Sequence, residues 1–428
     1  MGTAVESGND DGGGPTATGA AVSSAPAGCG NCRRDFPFFA ADTPNPVYLD
    51  NAATTQKPRC VLDRLQTYYR EENANVHRGL YDLSSRATQA YEAVRQKVAD
   101  WLSVPDSHAV IFTRGTTESI NLVAYSWARR RLQPGDEILC SEMEHHSNLV
   151  PWQLAARETG ARLALLPVTS QGELDPSALQ EPFTGHTRLL ALTHQSNVLG
   201  TINPIADLIQ RARRRGIVTV IDAAQSVPHL PVRVDELEPD FLAFSGHKMF
   251  GPTGVGVLVG RKELLETMDP FLAGGEMIRD VGFTTATWNE VPYKFEAGTP
   301  NIAQVIGLGA AVDFLQELGM ESVRAYEETL TEAVLELFQS LPEATLVGSA
   351  AHRGPVFSFA LKDIHPQDAQ FVLNKEGIAV RTGHHCAQPL LKKLGYTSLL
   401  RASFSLYNTL DDVTALKQGL EKTLQFFS

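Results

Sequence analysis

The chain reads as an α/β protein: a large domain over residues 48–300 built on a mainly parallel, doubly wound sheet, and a smaller α+β domain formed by 36–47 together with 301–428. Three observations predict it. Short, near-continuous apolar runs recur between longer amphipathic stretches, as in strands covered by helices on both faces. The length of 428 residues exceeds what one hydrophobic core usually organises. After Thr299-Pro300 the pattern changes to two long amphipathic segments and then to mixed strands and helices.

The elements follow in order. Within 86–102, Tyr91, Val94, Val98, Trp101 and Leu102 recur at three- and four-residue spacings and give a helix one apolar face. Val110 to Thr113 reads as a strand that runs into Arg114-Gly115-Thr116-Thr117-Glu118, a tight turn and helix start. Further strands are expected at Glu137 to Cys140, Arg162 to Leu166, Leu189 to Thr193, Ile217 to Ile221, Phe241 to Phe244 and Gly256 to Val259. A helix over 204–215 has Pro204 at a first helical position. The C-terminal part is expected to hold helices over about 302–318 and 322–340, strands at Val356 to Leu361, Ile378 to Arg381 and Leu400 to Leu406, and a last helix beginning after Asp411. No fixed-period repeat is present, which excludes a solenoid.

Composition narrows the function. The formal charge of -12 is spread along the chain, which argues against nucleic acid or an anionic membrane as partner. Apolar runs such as Ile217 to Ile221 are far too short to span a bilayer. Five widely spaced cysteines form no disulfide framework and point to a reducing, cytoplasmic setting. Residues 1–35, rich in Gly, Ala, Ser, Thr and Asp, have neither an apolar core nor an Arg-rich amphipathic pattern and are expected to be a disordered tail. Its Cys29 and Cys32 are expected to be an unstructured pair of thiols, and Cys60 and Cys140 to be packing residues.

Ligands of parallel α/β sheets sit beyond the carboxyl ends of the strands, so polar residues directly after apolar runs are the candidates. Gly115, Thr116 and Thr117 at a helix start make a phosphate cradle, or simply an N-cap. Asp222, ending Val218 to Ile221, needs a cationic partner such as a protonated pyridine nitrogen, or else caps the next segment. Lys248, in SGHKMFGPTGVG, can form a Schiff base at a semi-buried strand end, with Ser245 and His247 beside it and glycines that admit a ligand closely. His145 can stack as a neutral ring and exchange protons near neutral pH, with His146 a core or capping histidine; no metal-ligand spacing surrounds them, so no metal is expected. Cys386, in RTGHHCAQP, has Arg381, His384 and His385 close by, and cationic neighbours favour the nucleophilic thiolate.

The motifs RGTTE, MEHHSN, HQSNVLG, IDAAQ, SGHKMFGPTG, FEAGTPN and RTGHHCAQP together resemble, in order and spacing, the SUF-type (group II) cysteine desulfurases and the related selenocysteine lyases. These form part of the class V aminotransferase branch of fold-type I pyridoxal-phosphate enzymes. The resemblance covers residues 36–428. It implies that Lys248 holds pyridoxal 5'-phosphate covalently, Asp222 pairs with its ring nitrogen, Gln225 bonds its phenolic oxygen and His145 stacks on its ring. Thr117, Ser245 and His247 would bind the phosphate, with Thr116 adjacent. Thr299 of FEAGTPN matches a position that reaches the phosphate of the other subunit, which implies a homodimer. Asn197, Arg381 and Arg401 match substrate-side positions; Arg401 suits the carboxylate because a guanidinium binds it bidentately. The implied activity converts L-cysteine to L-alanine with sulfur passing to Cys386 as a persulfide, and on to a SufE-like or SufU-like carrier for iron-sulfur cluster assembly. The alternative is a selenocysteine lyase, which needs no cysteine nucleophile. One departure is Ala273 before Gly274-Gly275, where relatives often have a third glycine. The compact RTGHHCA segment implies a short loop that makes acceptor access limiting.

Overall fold

The computed structural model describes residues 29–40 and 45–428. Its large sheet has seven strands: β1 (His108–Thr113), β2 (Glu137–Ser141), β3 (Arg162–Leu166), β4 (Thr187–Thr193), β5 (Val218–Asp222), β6 (Phe241–Ser245) and β7 (Gly256–Arg261). They lie in the order β1-β7-β6-β5-β4-β2-β3. Every predicted strand of this sheet is present, with ends one or two residues from those expected. The sheet is mixed: β7 runs antiparallel to both β1 and β6, while the other four pairings are parallel.

Alternation along the strands sends side chains to both faces. Val110 and Phe112 of β1, with Leu242 and Phe244 of β6, pack into a core that takes in Tyr91 and Val94 of α1 (Asp82–Trp101) and Val305, Leu308 and Val312 of α2 (Ile302–Leu318). Ile111 of β1 and Phe241 of β6 face the other way, toward Trp127 and Trp152. Both faces are thus dry, which is why the strands read as unbroken apolar runs.

After α2 and α3 (Met320–Gln339) a hairpin-like series builds the small sheet: β8 (Ala344–Val347), β9 (Val356–Leu361), β10 (Arg381–Gly383) and β11 (Leu399–Ser403), antiparallel in the order β8-β9-β11-β10. The single strand expected at Ile378 to Arg381 is divided. Ile378–Ala379 pairs in parallel with Val47–Tyr48, whereas Arg381 pairs with Arg401 of β11. The chain changes partners at Val380, so one apolar run serves two ladders. The last helix, α4 (Leu410–Phe427), starts before the expected Asp411, because Thr409 accepts the Asp412 amide and Asp412 the Thr409 amide in a capping box. Pro204 stands just outside its helix, Ile205–Arg214, as the N-cap.

The disordered tail expected over residues 1–35 is structured in its last seven, 29–35. Residues 1–28 lie outside the described residues, but Cys29–Asp35 forms a 3-10 helix and Cys32 is 2% exposed, its thiol donating to Leu406 O at 3.3 Å. Phe36 is the anchor, with its ring 4.7 Å from that of Tyr407 and 5.6 Å from that of Phe314. Arg33 pairs with the Asp412 carboxylate at 2.7 Å. Burial of Phe36 and Cys32 together with the Arg33–Asp412 pair holds this short segment, and a composition rich in small residues hides that. Cys60 is also not a packing residue: it is exposed at the start of the helix Arg59–Thr67, while Cys140 in β2 is fully buried. Among the described residues no single helix is long and apolar enough to cross a membrane.

Candidate active site

A cavity of about 210 Å³ opens at the carboxyl ends of β4, β5 and β6 and is closed by β10, β11 and the loop between them. Twelve of the predicted site residues line it: Thr116, Thr117, His145, Asn197, Asp222, Gln225, Ser245, His247, Lys248, Arg381, Cys386 and Arg401. The thirteenth, Thr299, does not; it is exposed, between Gly298 and Pro300, which line a separate cavity of about 130 Å³ with His77, Glu276 and Glu296.

One end of the cavity is a nest of hydroxyls. Ser245 Oγ accepts the Thr116 amide at 2.9 Å and lies 2.7 Å from Thr116 Oγ1, and Thr117 Oγ1 lies 2.7 Å from Ser147 Oγ. These groups stand at the N-terminus of the helix Thr116–Val123, where unpaired amides and the helix dipole favour an anion. The close approach depends on Gly256 in β7: a Cβ there would sit 2.3 Å from Gly115 Cα.

Behind the same end, the His247 carbonyl accepts from Thr55 N at 3.1 Å, Thr54 Oγ1 at 3.2 Å, Thr55 Oγ1 at 3.1 Å and Lys57 Nζ at 2.8 Å. This convergence fixes the peptide that leads into Lys248. Burial holds the Lys57 amine down to about 7, and Lys57 in turn joins burial and Lys248 in holding His247 down to about 4.

Asp222 and Lys248 face the cavity from adjacent strand ends. Asp222 is 4% exposed, its Oδ1 accepts the Ala224 amide at 2.9 Å, and burial raises its carboxyl above the usual range, partly offset by Lys248. The Lys248 amine is held down to about 8, first by burial and then by Arg401 and Arg381 against the pull of Asp222. It is thus partly unprotonated at neutral pH, as a base or nucleophile must be. Gln225 donates through Nε2 to Ala52 O at 2.8 Å.

His145 accepts the Ser147 amide on Nδ1 at 3.0 Å, so its proton sits on Nε2. Burial and the neighbouring Lys248 hold the ring down to about 3. The expected neutral ring is present, but its titration lies well below the neutral range anticipated from sequence. His146 donates its amide to Cys386 O at 2.7 Å and accepts the Gln388 amide on Nε2 at 3.1 Å, tying the two loops together.

Cys386 is half-buried, with φ 56°, and follows His385 with φ 49°, two successive left-handed residues that are not glycine. The conformation is fixed by tertiary bonds: Asn197 Nδ2 donates to His385 O at 2.7 Å, and His385 Nε2 donates to Leu399 O at 3.1 Å. His385 is no cationic neighbour of the thiol, because burial and Arg401 push its imidazole down to about 3. The positive charge near Cys386 comes instead from Arg381, Arg401 and Lys248, with which it shares the cavity.

Arg401 is 2% exposed. Its NH1 donates to Asn197 O at 3.0 Å and its NH2 to the Asp50 carboxylate at 3.0 Å, while Nε is buried without a partner. Gln195 also lines the cavity with both side-chain polar atoms buried and unpartnered. Such orphaned groups are costly unless a ligand completes them. The set as a whole fits the expected cofactor: a buried carboxylate for a ring nitrogen, an amine for an aldehyde, hydroxyls and a helix N-terminus for a phosphate, and a guanidinium for a substrate carboxylate.

Sequence reasoning did not single out Asp50, Lys57, Ser147 or Gln195. Gln195 lay within HQSNVLG and Ser147 within MEHHSN, and both could have been found there; Asp50 and Lys57 act only through tertiary contact. Glu144, inside MEHHSN, was also missed. It is a buried carboxyl raised by burial to about 8, and it accepts from Ser141 Oγ at 2.6 Å, Asn148 Nδ2 at 2.6 Å and Thr193 N at 3.1 Å, bracing the loop that carries His145.

The Aminotransferase class-V family model matches residues 47–416. A probable cysteine desulfurase of Halalkalibacterium halodurans is 49% identical over 89% of this chain and 94% of its own length. One of Streptomyces coelicolor is 48% identical over 92% of this chain and 97% of its own. Among solved structures, the cysteine desulfurase CsdA of Escherichia coli superposes with a TM-score of 0.86 at 42% identity, covering 93% of this chain and 98% of that one. The apo cysteine desulfurase of Thermococcus onnurineus gives 0.88 at 38% identity, covering 92% and 98%.

Proposed function

The chain belongs to the class V aminotransferase family and within it to the cysteine desulfurases, and from that premise we propose that Cys386 is the group that takes sulfur from L-cysteine in the cavity beside Lys248. The enzyme is pyridoxal-phosphate-dependent, and the bound cofactor supplies an electron sink for the pair released at the substrate Cα. Lys248 attaches the cofactor and, as a free amine, takes the Cα proton; an amine held at about 8 is suited to that exchange near neutral pH. Asp222 keeps the ring nitrogen protonated, Gln225 holds the phenolic oxygen, His145 covers the ring, and Thr116, Thr117, Ser245 and His247 bind the phosphate. Arg401, steered by Asn197 and Asp50, takes the substrate carboxylate, with Arg381 beside it. The Cys386 thiolate then attacks the substrate sulfur. A Cys386 Sγ–S bond forms as the substrate Cβ–S bond breaks, the electron pair stays with carbon, and protonation there gives alanine. His145, with its proton already on Nε2 and the ring held down to about 3, donates a hydrogen bond to the substrate sulfur rather than accepting a proton from it.

The observation that carries this reading is that Cys386, Lys248 and Arg401 line one cavity. The test is an anaerobic assay of the purified protein with L-cysteine, measuring alanine and protein-bound persulfide. Wild type should give both, and Cys386→Ser should retain the cofactor yet give no persulfide and less than about 1% of the alanine rate, as expected for loss of a covalent nucleophile. Alanine formation at the wild-type rate in Cys386→Ser would reject Cys386 as the acceptor and favour selenocysteine-lyase chemistry.

The compact RTGHHCAQP segment supports the SUF-type reading, and with it a cytoplasmic role in iron-sulfur cluster assembly through a SufE-like or SufU-like carrier. Residues 48–300 form the cofactor-holding domain, with 36–47 and 301–428 as the small domain whose Cys386 and Arg401 complete the cavity. Thr299, exposed in the single chain, supports a homodimer in which it reaches the partner's phosphate site. Mixing Thr299→Ala chains with Lys248→Ala chains should then restore part of the activity that each lacks alone; no recovery in verified heterodimers would sink the shared-site arrangement.

A further inference from the structure

Lys57 is not among the residues that line the catalytic cavity, yet its amine reaches the peptide that joins His247 to Lys248. Four donors converge on the His247 carbonyl, and a carbonyl oxygen has two lone pairs. Lys57 Nζ is the nearest at 2.8 Å, and the Thr55 amide, fixed in direction by the backbone, follows at 3.1 Å. Together they fill the oxygen. An amine donates in either protonation state, so this bond does not depend on the titration of Lys57.

The two threonine hydroxyls are then surplus at that oxygen. Thr55 Oγ1 accepts the Phe250 amide at 3.0 Å. Thr54 Oγ1 lies 3.2 Å from the His247 carbonyl and 3.2 Å from His247 Nδ1, so with the carbonyl filled its proton goes to the ring. Burial, Lys248 and Lys57 hold the imidazole down to about 4, and near neutral pH it carries a single proton. With Nδ1 accepting, that proton sits on Nε2. Among the described residues Nε2 bonds no protein group, and it is not a buried atom: His247 lines the cavity together with Thr116, Thr117 and Ser245.

We propose that Lys57 is a positioning residue for the cofactor: by filling the His247 carbonyl it turns the Thr54 hydroxyl to His247 Nδ1 and so keeps the ring proton on Nε2, where it donates to the cofactor phosphate. The inference rests on the reading of His247 as a phosphate ligand. Without Lys57 a lone pair reopens to the threonine hydroxyls, Nδ1 loses its donor, and the single ring proton is no longer held at the atom that faces the anion.

Full-length enzyme is equilibrated against graded pyridoxal 5'-phosphate and, separately, pyridoxal, which lacks the phosphate, and the bound aldehyde is read from the absorption of its bond to Lys248. Wild type should prefer the phosphate ester. Lys57→Met should weaken binding of pyridoxal 5'-phosphate at least about tenfold, the minimum for a lost charge-assisted hydrogen bond, and leave pyridoxal unchanged. Thr54→Val, which takes the hydroxyl from Nδ1, should do the same. Adding Lys57→Met to His247→Ala should cost nothing further, because both act through one hydrogen bond. Equal weakening of the two aldehydes by Lys57→Met would mean that Lys57 only supports the fold around Lys248 and would overturn the proposal, as would unchanged binding of both or additive losses in the double variant. Wild-type preference in His247→Ala would reject His247 as a phosphate ligand and the inference with it; preference lost in His247→Ala but kept in Lys57→Met would reject the inference alone.

Discussion

Lys248→Ala should lower the rate of alanine formation from L-cysteine by at least about 10³-fold, because one side chain both attaches the cofactor and moves the Cα proton. The two roles can be separated. An added primary amine such as methylamine enters the space left by the side chain and should recover a few per cent of the rate, in proportion to the free amine present. Lys248→Arg should recover nothing: a guanidinium stays protonated throughout the working pH range and cannot act as a base. The environment explains why this lysine is suited to the task. Burial, Arg401 and Arg381 lower the amine to about 8, and Asp222 prevents a larger fall. Turnover above about one per cent of wild type in Lys248→Ala, without added amine, would remove Lys248 from the chemistry.

Arg401→Leu should reduce kcat/KM for L-cysteine by about 10²–10³-fold, the loss expected when a buried, charge-assisted contact to a carboxylate is removed. The more specific signature is selectivity. Cysteamine is cysteine without its carboxylate, so the wild type should strongly prefer cysteine and Arg401→Leu should treat the two nearly alike. Arg401→Lys keeps a charge but not the fork; the bonds from NH1 to Asn197 and from NH2 to Asp50 cannot both be made by one ammonium. It should fall between the two. Unchanged preference for cysteine in Arg401→Leu would move the carboxylate to Arg381, which lines the same cavity but is exposed.

Much of this arrangement is legible in the chain, for a physical reason. In a sheet buried on both faces each strand must be an apolar run, and the polar residue that ends the run must stand at the sheet's carboxyl edge. Thr116, Asp222, Ser245 and Lys248 were singled out as candidates by that rule, with their roles supplied by the resemblance. The same rule carries no information on direction, so β7 reads as one more parallel strand although it is reversed. It also cannot show a change of partner within a run, as at Val380. Asp50 and Lys57 escaped because nothing local marks them; each acquires its role from a residue far away in sequence, namely Arg401 and His247. Cys386 was legible, but the source of its electrostatic setting was not. A histidine beside it in sequence reads as a cation until the structure places that imidazole in the dry interior.

The reversed strand also sets a timetable for biosynthesis. β1 is one of the two edge strands, and among the described residues it pairs with β7 alone, 143 residues later from Thr113 to Gly256. At about 5–20 residues per second a ribosome needs on the order of 7–30 s to make the intervening chain. During that interval the six residues of β1 have no strand to pair with, while β2, β3, β4 and β5 can already pair with one another. The turn at Gly115 and Thr116 is therefore completed late, when Gly256 comes against Gly115, and until then the unpaired edge is open to pairing with another chain.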